Sequence, residues 1–395
     1  MKVIFCFLLF FSVLFGAEPQ VVYLTWTEDP ATTMTIQWHT DRGQTQELTY
    51  RKVNDQKWKS AKSAFKSIEG TDVDVHTAHL KELSQDTVYL FKLGTKTEYK
   101  FRTMPKELNR PLRFAIGGDV FYIKNHETFH RKNQMIADQD PDFIVAGGDL
   151  AYTKGRKQFG KGRAWELSQW QGFLKGQQTI KGKDGRLIPM LPIVGNHDVA
   201  KPQHQTPEPE MFFQLFSFPY INKAYRCLDF GTYLSLILLD SDHHSPIEGE
   251  QTAWLQRTLK EKKSAYLLTA YHVAAYPSHN PYSGKIPEKI RQYWSPLFEQ
   301  YKVPFVFEHH NHAFKRTHPI KNGKIDPSGV TYLGDGSWGV AARPVKSPDE
   351  LWYLVKSASI NMCYIVTLTK EKCLIEAKSL QGQIIDQVDY KRASF

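Results

Sequence analysis

Five short apolar runs of the chain each end at polar side chains that can bind a metal ion. RFAIGG is followed by Asp119, FIVAGG by Asp149, MLPIVG by Asn196 and His197, YLLTAY by His272, and PFVFEH by His310 and, two residues later, His312. The carboxyl ends of the strands of an open α/β sheet share one crevice. These residues, spread between positions 119 and 312, are therefore predicted to converge on one site.

Two folding units are predicted. Residues 18–104 contain short strands such as VVYLTW and MTIQWHT, in which Met34, Ile36 and Trp38 alternate with polar residues. This pattern is typical of a small antiparallel sandwich. From Pro111 onward, apolar strands alternate with helical stretches such as EGEQTAWLQRTLKEKK, which indicates an α/β domain. We interpret MPKELNRP, between the two units, as a linker.

The amino terminus has the pattern of a secretory signal peptide. Lys2 precedes the apolar run from Val3 to Phe15, and the small residues Gly16 and Ala17 follow. The run is shorter than the roughly 20 residues of a spanning helix, so we predict a signal peptide over residues 1–17. An uncleaved membrane anchor is the alternative. The mature chain is expected to be secreted, periplasmic or associated with the cell envelope.

Three cysteines remain after the predicted signal peptide, which is too few for a disulfide scaffold. Cys363 and Cys373 lie on two apolar runs separated by the polar TKEK, so a hairpin would bring them close together. One disulfide and two free buried thiols are both compatible with this pattern.

The net charge of +10 favours anionic partners, which include phosphate esters, nucleic acids and anionic surfaces. The basic residues are dispersed and do not alternate with aromatic ones, so no specific nucleic-acid partner is expected. The sequence does not determine the oligomeric state.

The donor types at the strand ends, together with Tyr152 in GGDLAY, restrict the metal. Carboxylate, amide oxygen, phenolate and imidazole suit Fe, Mn or Zn better than a soft metal. Leaving His197 aside, seven such donors exceed one tetrahedral zinc site and fit two ions that share a bridging carboxylate.

These blocks resemble the five ligand blocks of the metallophosphoesterases, and in detail those of the purple acid phosphatase branch. GGDLAY carries Asp149 and has Tyr152 where that branch has its ferric-binding tyrosine; GNHD, YHVAAY and HHNHAFKR match the later blocks. The branch also has a fibronectin type III-like domain before its catalytic domain. The resemblance implies an all-β fibronectin type III-like sandwich at residues 18–106, followed at 107–395 by an α/β catalytic domain that is an αββα sandwich.

The resemblance also implies a role for each ligand. Asp119, Tyr152 and His312 would bind Fe(3+); Asn196, His272 and His310 would bind a divalent Zn, Mn or Fe ion; Asp149 would bridge the two. His197 is the candidate for contacting phosphate or protonating the leaving oxygen, and His279 is a second candidate.

The implied activity is that of an acid phosphatase, which hydrolyses small phosphate monoesters by attack of metal-bound hydroxide. Two alternatives stay open. One is a phosphodiesterase, nucleotidase or pyrophosphatase of the same fold with a Mn or Zn pair. The other is an inactive surface-binding module.

The sequence departs from the branch at three positions. Phe121 and His309 stand where glycine is usual, and Ala274 where proline is common. The bulk of Phe121 and His309 is expected to narrow the pocket or change the substrate. Arg316 is a further candidate for a phosphate contact. The other histidines, His243 among them, are predicted to be surface or packing residues.

Overall fold

The computed structural model describes residues 18–94, 97–155, 162–200, 209–220, 223–334 and 336–391. The predicted signal peptide at residues 1–17 lies outside the described residues. Within the described part of the chain, we find no helix whose length and apolar character would let it cross a membrane.

The first unit is a β-sandwich. Its strands are β1 (Val21–Thr25), β2 (Met34–Asp41), β3 (Leu48–Lys52), β4 (Lys59–Ala61), β5 (Ala64–Ser67), β6 (Val73–Leu80), β7 (Val88–Leu93) and β8 (Glu98–Arg102). They form two sheets, of order β1–β2–β6–β5 and β4–β3–β7–β8. Trp38 is fully buried between them. The Tyr89 hydroxyl accepts a hydrogen bond from the Ser84 N–H at 2.8 Å, a corner typical of immunoglobulin-like sandwiches.

The second unit contains all the helices of the described residues. A 3₁₀ turn (Ile123–Asn125) precedes α1 (His126–Asp138), followed by α2 (Arg163–Gln177), α3 (Met211–Leu215), α4 (Glu250–Glu261), α5 (Lys285–Tyr293) and α6 (Ser295–Gln300). Its strands are β9 (Leu112–Gly117), β10 (Phe143–Gly147), β11 (Met190–Ile193), β12 (Arg226–Phe230), β13 (Leu234–Leu238), β14 (Tyr266–Val273), β15 (Phe305–His309), β16 (Phe314–Thr317), β17 (Ile320–Lys321), β18 (Lys324–Ile325), β19 (Thr331–Gly334), β20 (Leu354–Ala358), β21 (Met362–Leu368), β22 (Lys372–Ser379) and β23 (Ile384–Lys391).

Thirteen of these strands form two large sheets that pack face to face, and β17 and β18 form a separate two-stranded sheet. The first has six strands in the order β11–β10–β9–β21–β22–β23, and the second has seven in the order β12–β13–β14–β15–β19–β16–β20. Strand residues alternate: Phe114 and Ile116 of β9 lie in the core between the sheets, whereas Ala115 lies in the core shared with α1 and α2. The second sheet packs its other face against α4, α5 and α6. The predicted αββα sandwich is confirmed.

The segment interpreted as a linker is packed into the structure. Met104 and Leu108 are buried in the hydrophobic core. Arg110 forms ion pairs with Asp86 of the first unit, at 3.1 Å, and with Asp142 of the second, at 2.9 Å. The segment between β8 and β9 is therefore packed at Met104 and Leu108 and not exposed throughout, because composition does not reveal which side chains of such a segment are buried.

One continuous core joins the two units. The ring of Trp26 makes edge-to-face contacts with the rings of Phe143 and Phe230, at 6.0 and 5.8 Å between centroids. The Tyr23 hydroxyl donates to the Leu215 carbonyl at 2.5 Å. The sandwich thus covers apolar surface of the catalytic unit, where a flexibly tethered module would leave it exposed.

His39 is buried in the sandwich, with its Nε2 3.3 Å from the Tyr23 hydroxyl oxygen. Burial, followed by the charges of His76 and Lys175, lowers the pKa of His39 to about 3. The unfolded chain has a histidine pKa of about 6.5 and therefore binds more protons than the folded chain between these values. The contribution of His39 to the free energy of unfolding is therefore fully present above pH ~6.5. Below that value it falls by about 1.4 kcal/mol per pH unit, until the pKa of the folded chain is reached.

We expect His39→Gln to reduce the acid sensitivity of folding. Between pH 8 and pH 5, wild-type protein should lose about 2 kcal/mol more of its unfolding free energy than the variant loses. Urea unfolding at the two pH values measures this difference. The exposed His126, replaced by Gln, is the control and should leave it unchanged. An equal acid loss in wild-type and His39→Gln protein would contradict the prediction.

Cys363 and Cys373 do not form a disulfide with each other, because they lie at opposite ends of their hairpin. Cys363 pairs with Lys378 in the hairpin of β21 and β22, whereas Cys373 pairs with Leu368 at the other end. The two thiols also belong to different cores, on opposite faces of the sheet.

Candidate metal centre

Asp119, Tyr152 and His312 form one group of potential ligands. The Tyr152 hydroxyl lies 2.7 Å from Asp119 Oδ1 and 3.1 Å from His312 Nε2. His312 Nε2 lies 2.8 Å from the same Asp119 oxygen. Three donor atoms from distant parts of the chain therefore meet at one point.

Asp149, Asn196, His272 and His310 form a second group beside the first. His272 Nε2 lies 3.4 Å from Asp149 Oδ2, 3.3 Å from Asn196 Oδ1 and 3.2 Å from His310 Nδ1. Ligand atoms of Asp149, His272 and His310 all lie within 4.8 Å of one another, close enough to hold one metal ion. The structure thus brings together all the residues predicted to be ligands.

The spacing of the donor atoms fits metal ions. Two ligands about 2 Å from a shared ion lie about 3 Å apart when they occupy neighbouring coordination positions. The separations of 2.7–3.4 Å within the two groups match this value. The donors are oxygen and nitrogen atoms of the kind that Fe, Mn and Zn accept.

Backbone carbonyls fix the orientation of two imidazoles. The Nδ1–H group of His272 donates to the Gly147 carbonyl at 2.9 Å, and that of His312 donates to the Ala341 carbonyl at 3.3 Å. Each ring therefore presents Nε2 to the other donors. Hydrogen bonds of this kind set the tautomer of metal-binding histidines.

Five of the seven predicted ligands have a left-handed backbone. Their φ angles are 56° at Asp119, 52° at Asp149, 49° at Tyr152, 71° at His310 and 52° at His312. Non-glycine residues rarely adopt this conformation, and it clusters at functional sites, where the surrounding structure holds it. The ligands thus lie on sharp turns after the strands, which aim their side chains at one point.

Close packing between turns explains the glycines that precede the ligands. Gly148 has a φ of 90°, and a Cβ at this position would lie 2.5 Å from His272 Nδ1. A Cβ on Gly195 would overlap the backbone nitrogen of Asp149. The GGD and GN sequences therefore let the turns approach each other closely.

The carboxylates and histidines strongly affect one another. Burial would raise the pKa of Asp149, but the charges of His272 and His197 outweigh it and hold that pKa well below its usual range. For His272 burial lowers the pKa, whereas the Asp149 charge raises it, to about 10. Burial and then the His272 charge lower the pKa of His310 to about 3.

The surroundings of Tyr152 keep its hydroxyl protonated in the absence of a metal ion. Burial, followed by the charges of Asp119 and Asp149, raises the pKa of its hydroxyl well above 10. The phenolate form is therefore disfavoured by this chain alone. A strongly charged cation beside the oxygen would reverse this preference, as metal ions do for their ligands.

His197 lies against two predicted ligands, whereas His279 contacts the loop between His310 and His312. The His197 ring stacks on Tyr152 with 4.8 Å between centroids, and its Nε2 lies 3.9 Å from Asp149 Oδ2. His279 is connected to the ligand loop through its backbone N–H, which donates to Asn311 Oδ1 at 3.2 Å, while its ring donates to the Pro344 carbonyl. Their catalytic roles stay predictions.

Three residues near the ligands were missed. Asp198 accepts the N–H groups of Leu150 and Gly195, at 2.7 and 2.8 Å, and so ties two ligand turns together. Burial, and then the charge of Asp149, raises its pKa to about 8. Its position in GNHD was the available signal. The other two are His243 and Arg343, whose neighbours in the sequence gave no signal.

His243 is buried, with its ring centroid 5.5 Å from that of His272, so it belongs to the surroundings of the centre. Arg343 holds the loop of the last two ligands. Its backbone N–H donates to the His312 carbonyl at 2.8 Å, and its guanidinium donates to the His310 carbonyl at 3.4 Å.

The expectation that Phe121 and His309 narrow the pocket is wrong, and their effect on the substrate stays a prediction. Phe121 packs against Phe129, at 5.1 Å between centroids, and is buried in the core beside α2. The buried His309 ring lies against Gly118 and Gly147. Neither side chain narrows the cleft next to the ligands.

Arg316 does not face the ligands. Its Nε donates to Asp386 Oδ2 at 2.6 Å in an ion pair with β23. The segment after β19 packs on the first ligand turn. The Trp338 N–H donates to the Gly118 carbonyl at 3.1 Å, and the Gly339 N–H donates to the Asp119 carbonyl at 3.2 Å.

A cleft of about 660 Å³ opens beside Asn196 and His310. Besides Asn196 and His310, its walls combine aliphatic and proline side chains with polar and charged ones: Val199, Val273, Pro277, Pro281, Ile286, Pro287, Asp242, His243, His244 and Lys285. The arrangement can hold a group the size of a small organic molecule next to the ligands.

Two family models match the chain. The model described as purple acid phosphatase, N-terminal domain, matches residues 19–103. The model described as calcineurin-like phosphoesterase matches residues 112–314, which is more than half of the chain and contains all seven predicted ligands.

Curated relatives come from the purple acid phosphatases of Arabidopsis thaliana. Purple acid phosphatase 18 is 24% identical over 302 residues, covering 72% of this chain and 63% of its own length. Purple acid phosphatase 23 is 25% identical over 294 residues, covering 66% and 62%. Probable inactive purple acid phosphatase 24 is 25% identical over 373 residues, covering 80% and 57%. The chain spans about six tenths of the length of these relatives.

Solved structures share the fold. The purple acid phosphatase PPD1 from yellow lupin seeds superposes with a TM-score of 0.78 at 17% identity, covering 94% of this chain and 74% of the lupin chain. PhoD superposes with a TM-score of 0.71 at 11% identity, covering 96% and 91%. With both family models matched in order and the fold shared along nearly the whole chain, this chain belongs to the calcineurin-like phosphoesterase family, in its purple acid phosphatase branch.

Proposed function

We propose that this protein is a dinuclear-metal acid phosphatase that hydrolyses phosphate monoesters. The observation that carries the proposal is the arrangement of seven donor side chains in two adjoining groups, in a chain of this family. Phosphatase chemistry requires groups that neutralise phosphoryl oxygens and activate water, and such a centre provides both.

The two groups would hold different ions. Asp119, Tyr152 and His312 would bind Fe(3+), because a buried phenol loses its proton only beside a strongly charged cation. Asn196, His272 and His310 would bind Zn, Mn or Fe(2+). Asp149 would bind both. When bound, the pair of ions activates water and stabilises the charge of the phosphoryl oxygens.

His197 is suited to act on the substrate. Its Nδ1–H group donates to the Lys154 carbonyl at 2.6 Å, which leaves Nε2 facing the region of Asp149, 3.9 Å away. We infer that this nitrogen contacts the phosphoryl group or protonates the leaving oxygen. The alcohol part of the ester would lie in the cleft beside Asn196 and His310.

We also propose that the protein is exported. The apolar residues 3–15, followed by Gly16 and Ala17, support this proposal. Fractionation of the host cells, followed by amino-terminal sequencing, would test it. Protein that stays in the cytoplasm and still begins at Met1 would contradict it.

The test of the proposed activity compares an aryl phosphate monoester with the matching diester between pH 4 and pH 8. We expect monoester hydrolysis to be faster, to be lost with a chelator and to return when Fe and Zn are added. Metal analysis of the active protein should give about two ions per chain. Preferred diester hydrolysis would favour the phosphodiesterase alternative. No turnover after metal addition would favour an inactive module.

A further inference from the structure

A buried ion pair closes the base of the loop that carries His310 and His312. Glu308 is the penultimate residue of β15 and Lys315 is the second residue of β16, so the loop lies between them in the chain. Their side chains are 0% and 1% exposed, and the ammonium contacts the carboxylate directly. Two buried charges are costly unless their remaining hydrogen-bonding atoms also find partners.

The Glu308 carboxylate accepts further hydrogen bonds, and their donors lie on both sides of His272 in the chain. Its Oε1 accepts a hydrogen bond from the Tyr271 hydroxyl at 2.7 Å and another from the Ala275 N–H at 2.7 Å. One oxygen of one side chain therefore holds the residue before His272 and a residue that follows it.

The strand pairing is irregular at the same place. Tyr271 pairs with Glu308 and Val273 pairs with His309, so His272 is the extra residue of a β-bulge between β14 and β15. A bulge redirects the side chain of the extra residue and is frequent next to active sites. Glu308 lies directly across from this bulge.

Lys315 of β16 also contacts the segment that follows β14. Its Nζ donates to the Tyr276 carbonyl at 2.7 Å, beyond the end of β14. The stem of the side chain crosses Gly334 of β19, where a Cβ would overlap its carbon atoms. The lysine therefore has a fixed path through the core.

We propose that Glu308 and Lys315 are positioning residues for the His272 and His310 side of the centre. The pair holds the bulge that aims His272 and fixes the base of the loop that presents His310. This inference rests on the proposed function, because the histidines matter here as ligands of the divalent ion. An apolar pair of similar volume could fill the space, but it would leave the Tyr271 hydroxyl and the Ala275 N–H without their acceptor.

The test uses the double variant Glu308→Leu/Lys315→Met of the full chain. It removes both charges and the oxygen that accepts from Tyr271 and Ala275, keeps similar side-chain volumes and avoids an unpaired buried ammonium. Glu308→Gln/Lys315→Met, whose amide oxygen keeps that acceptor, is the second variant. The matched control is Asp386→Asn, which breaks the ion pair of Asp386 with Arg316 on the same strand as Lys315. Competition with a chromophoric chelator gives the Zn²⁺ affinity of protein loaded with Fe(3+), and the visible absorption band reports the Tyr152 side of the centre.

We expect Glu308→Leu/Lys315→Met to bind Zn²⁺ about 10–100-fold more weakly than wild type, as is usual when the groups that orient metal ligands are removed. Its visible band should stay close to that of wild type, and its melting curve should remain that of a folded protein. Glu308→Gln/Lys315→Met and Asp386→Asn should both keep a Zn²⁺ affinity close to that of wild type. A folded Glu308→Leu/Lys315→Met variant with wild-type Zn²⁺ affinity would overturn the inference. So would an equal loss of both the band and the affinity, because that would mean general disruption.

Wild-type protein that binds neither ion would refute the proposed function itself. That result is obtained before any variant is compared, so the two failures are distinguishable.

Discussion

Asp149→Ala is expected to lower kcat/KM for a phosphate monoester by on the order of 10³-fold or more. The Asp149 carboxylate is 1% exposed and lies between the two donor groups, with Oδ2 3.4 Å from His272 Nε2. Its Oδ1 accepts the His197 N–H at 2.7 Å. Removing it would take a shared ligand from both ions and release the turn that carries the candidate proton donor.

The matched control for this variant lies at the other end of the same strand. Asp142 immediately precedes β10, whereas Asp149 follows it. Asp142 is also a buried carboxylate, 5% exposed, and it forms an ion pair with Arg110. Asp142→Asn should lower the melting temperature but keep kcat/KM within a few-fold of wild type. Steady-state kinetics and metal analysis of both variants check the prediction. Near-wild-type activity in Asp149→Ala would mean that this residue is not a shared ligand.

Tyr152→Phe is expected to remove the visible absorption band of the iron-loaded protein completely. A phenolate bound to Fe(3+) absorbs visible light, and the Tyr152 hydroxyl is 2.7 Å from Asp119 and 3.1 Å from His312, the other predicted ligands of that ion. The ring itself is buried, so phenylalanine should keep the packing. Since two ligands and Asp149 remain, activity should fall less than in Asp149→Ala.

Tyr122→Phe is the control for the spectrum. Its ring lies 5.6 Å from that of Tyr152 between centroids, so it shares the surroundings without being a predicted ligand. Absorption spectra recorded with metal analysis would distinguish the two tyrosines. A band that survives in Tyr152→Phe, or a colourless wild-type protein that holds two Mn or Zn ions, would refute the ferric-phenolate assignment.

The fold and the meeting of the ligands follow from a short-range pattern in the sequence. An apolar run that ends in a polar residue specifies both a buried strand and the edge at which it stops. Asp119 and Asp149 could therefore be placed at one edge of a sheet before it was known that β9 and β10 are neighbours. Asp198 carried a signal of the same kind, since it stands directly after the GNH sequence, but its partners lie on another turn.

The errors concern side-chain direction and long-range partners. Whether Phe121 faces the pocket or the core depends on the turn after β9, where left-handed Asp119 redirects the chain. Arg316 binds Asp386, which is 70 residues away in the chain, so no local pattern could indicate this ion pair. Buried Met104 and Leu108 stand among proline and charged residues, whose composition alone resembled a linker.

The division of the ligands between the two sheets has a consequence for how the protein acquires metal. Asp119, Asp149 and Asn196 follow strands of the six-stranded sheet, whereas His272 and His310 belong to strands of the seven-stranded sheet or to the turns after them. Each donor group therefore contains members from both sheets, and neither sheet alone offers a complete set. An ion bound here would join the sheets as a cross-link and stabilise the chain in which they are packed together. Metal binding and the packing of one sheet on the other would therefore favour each other.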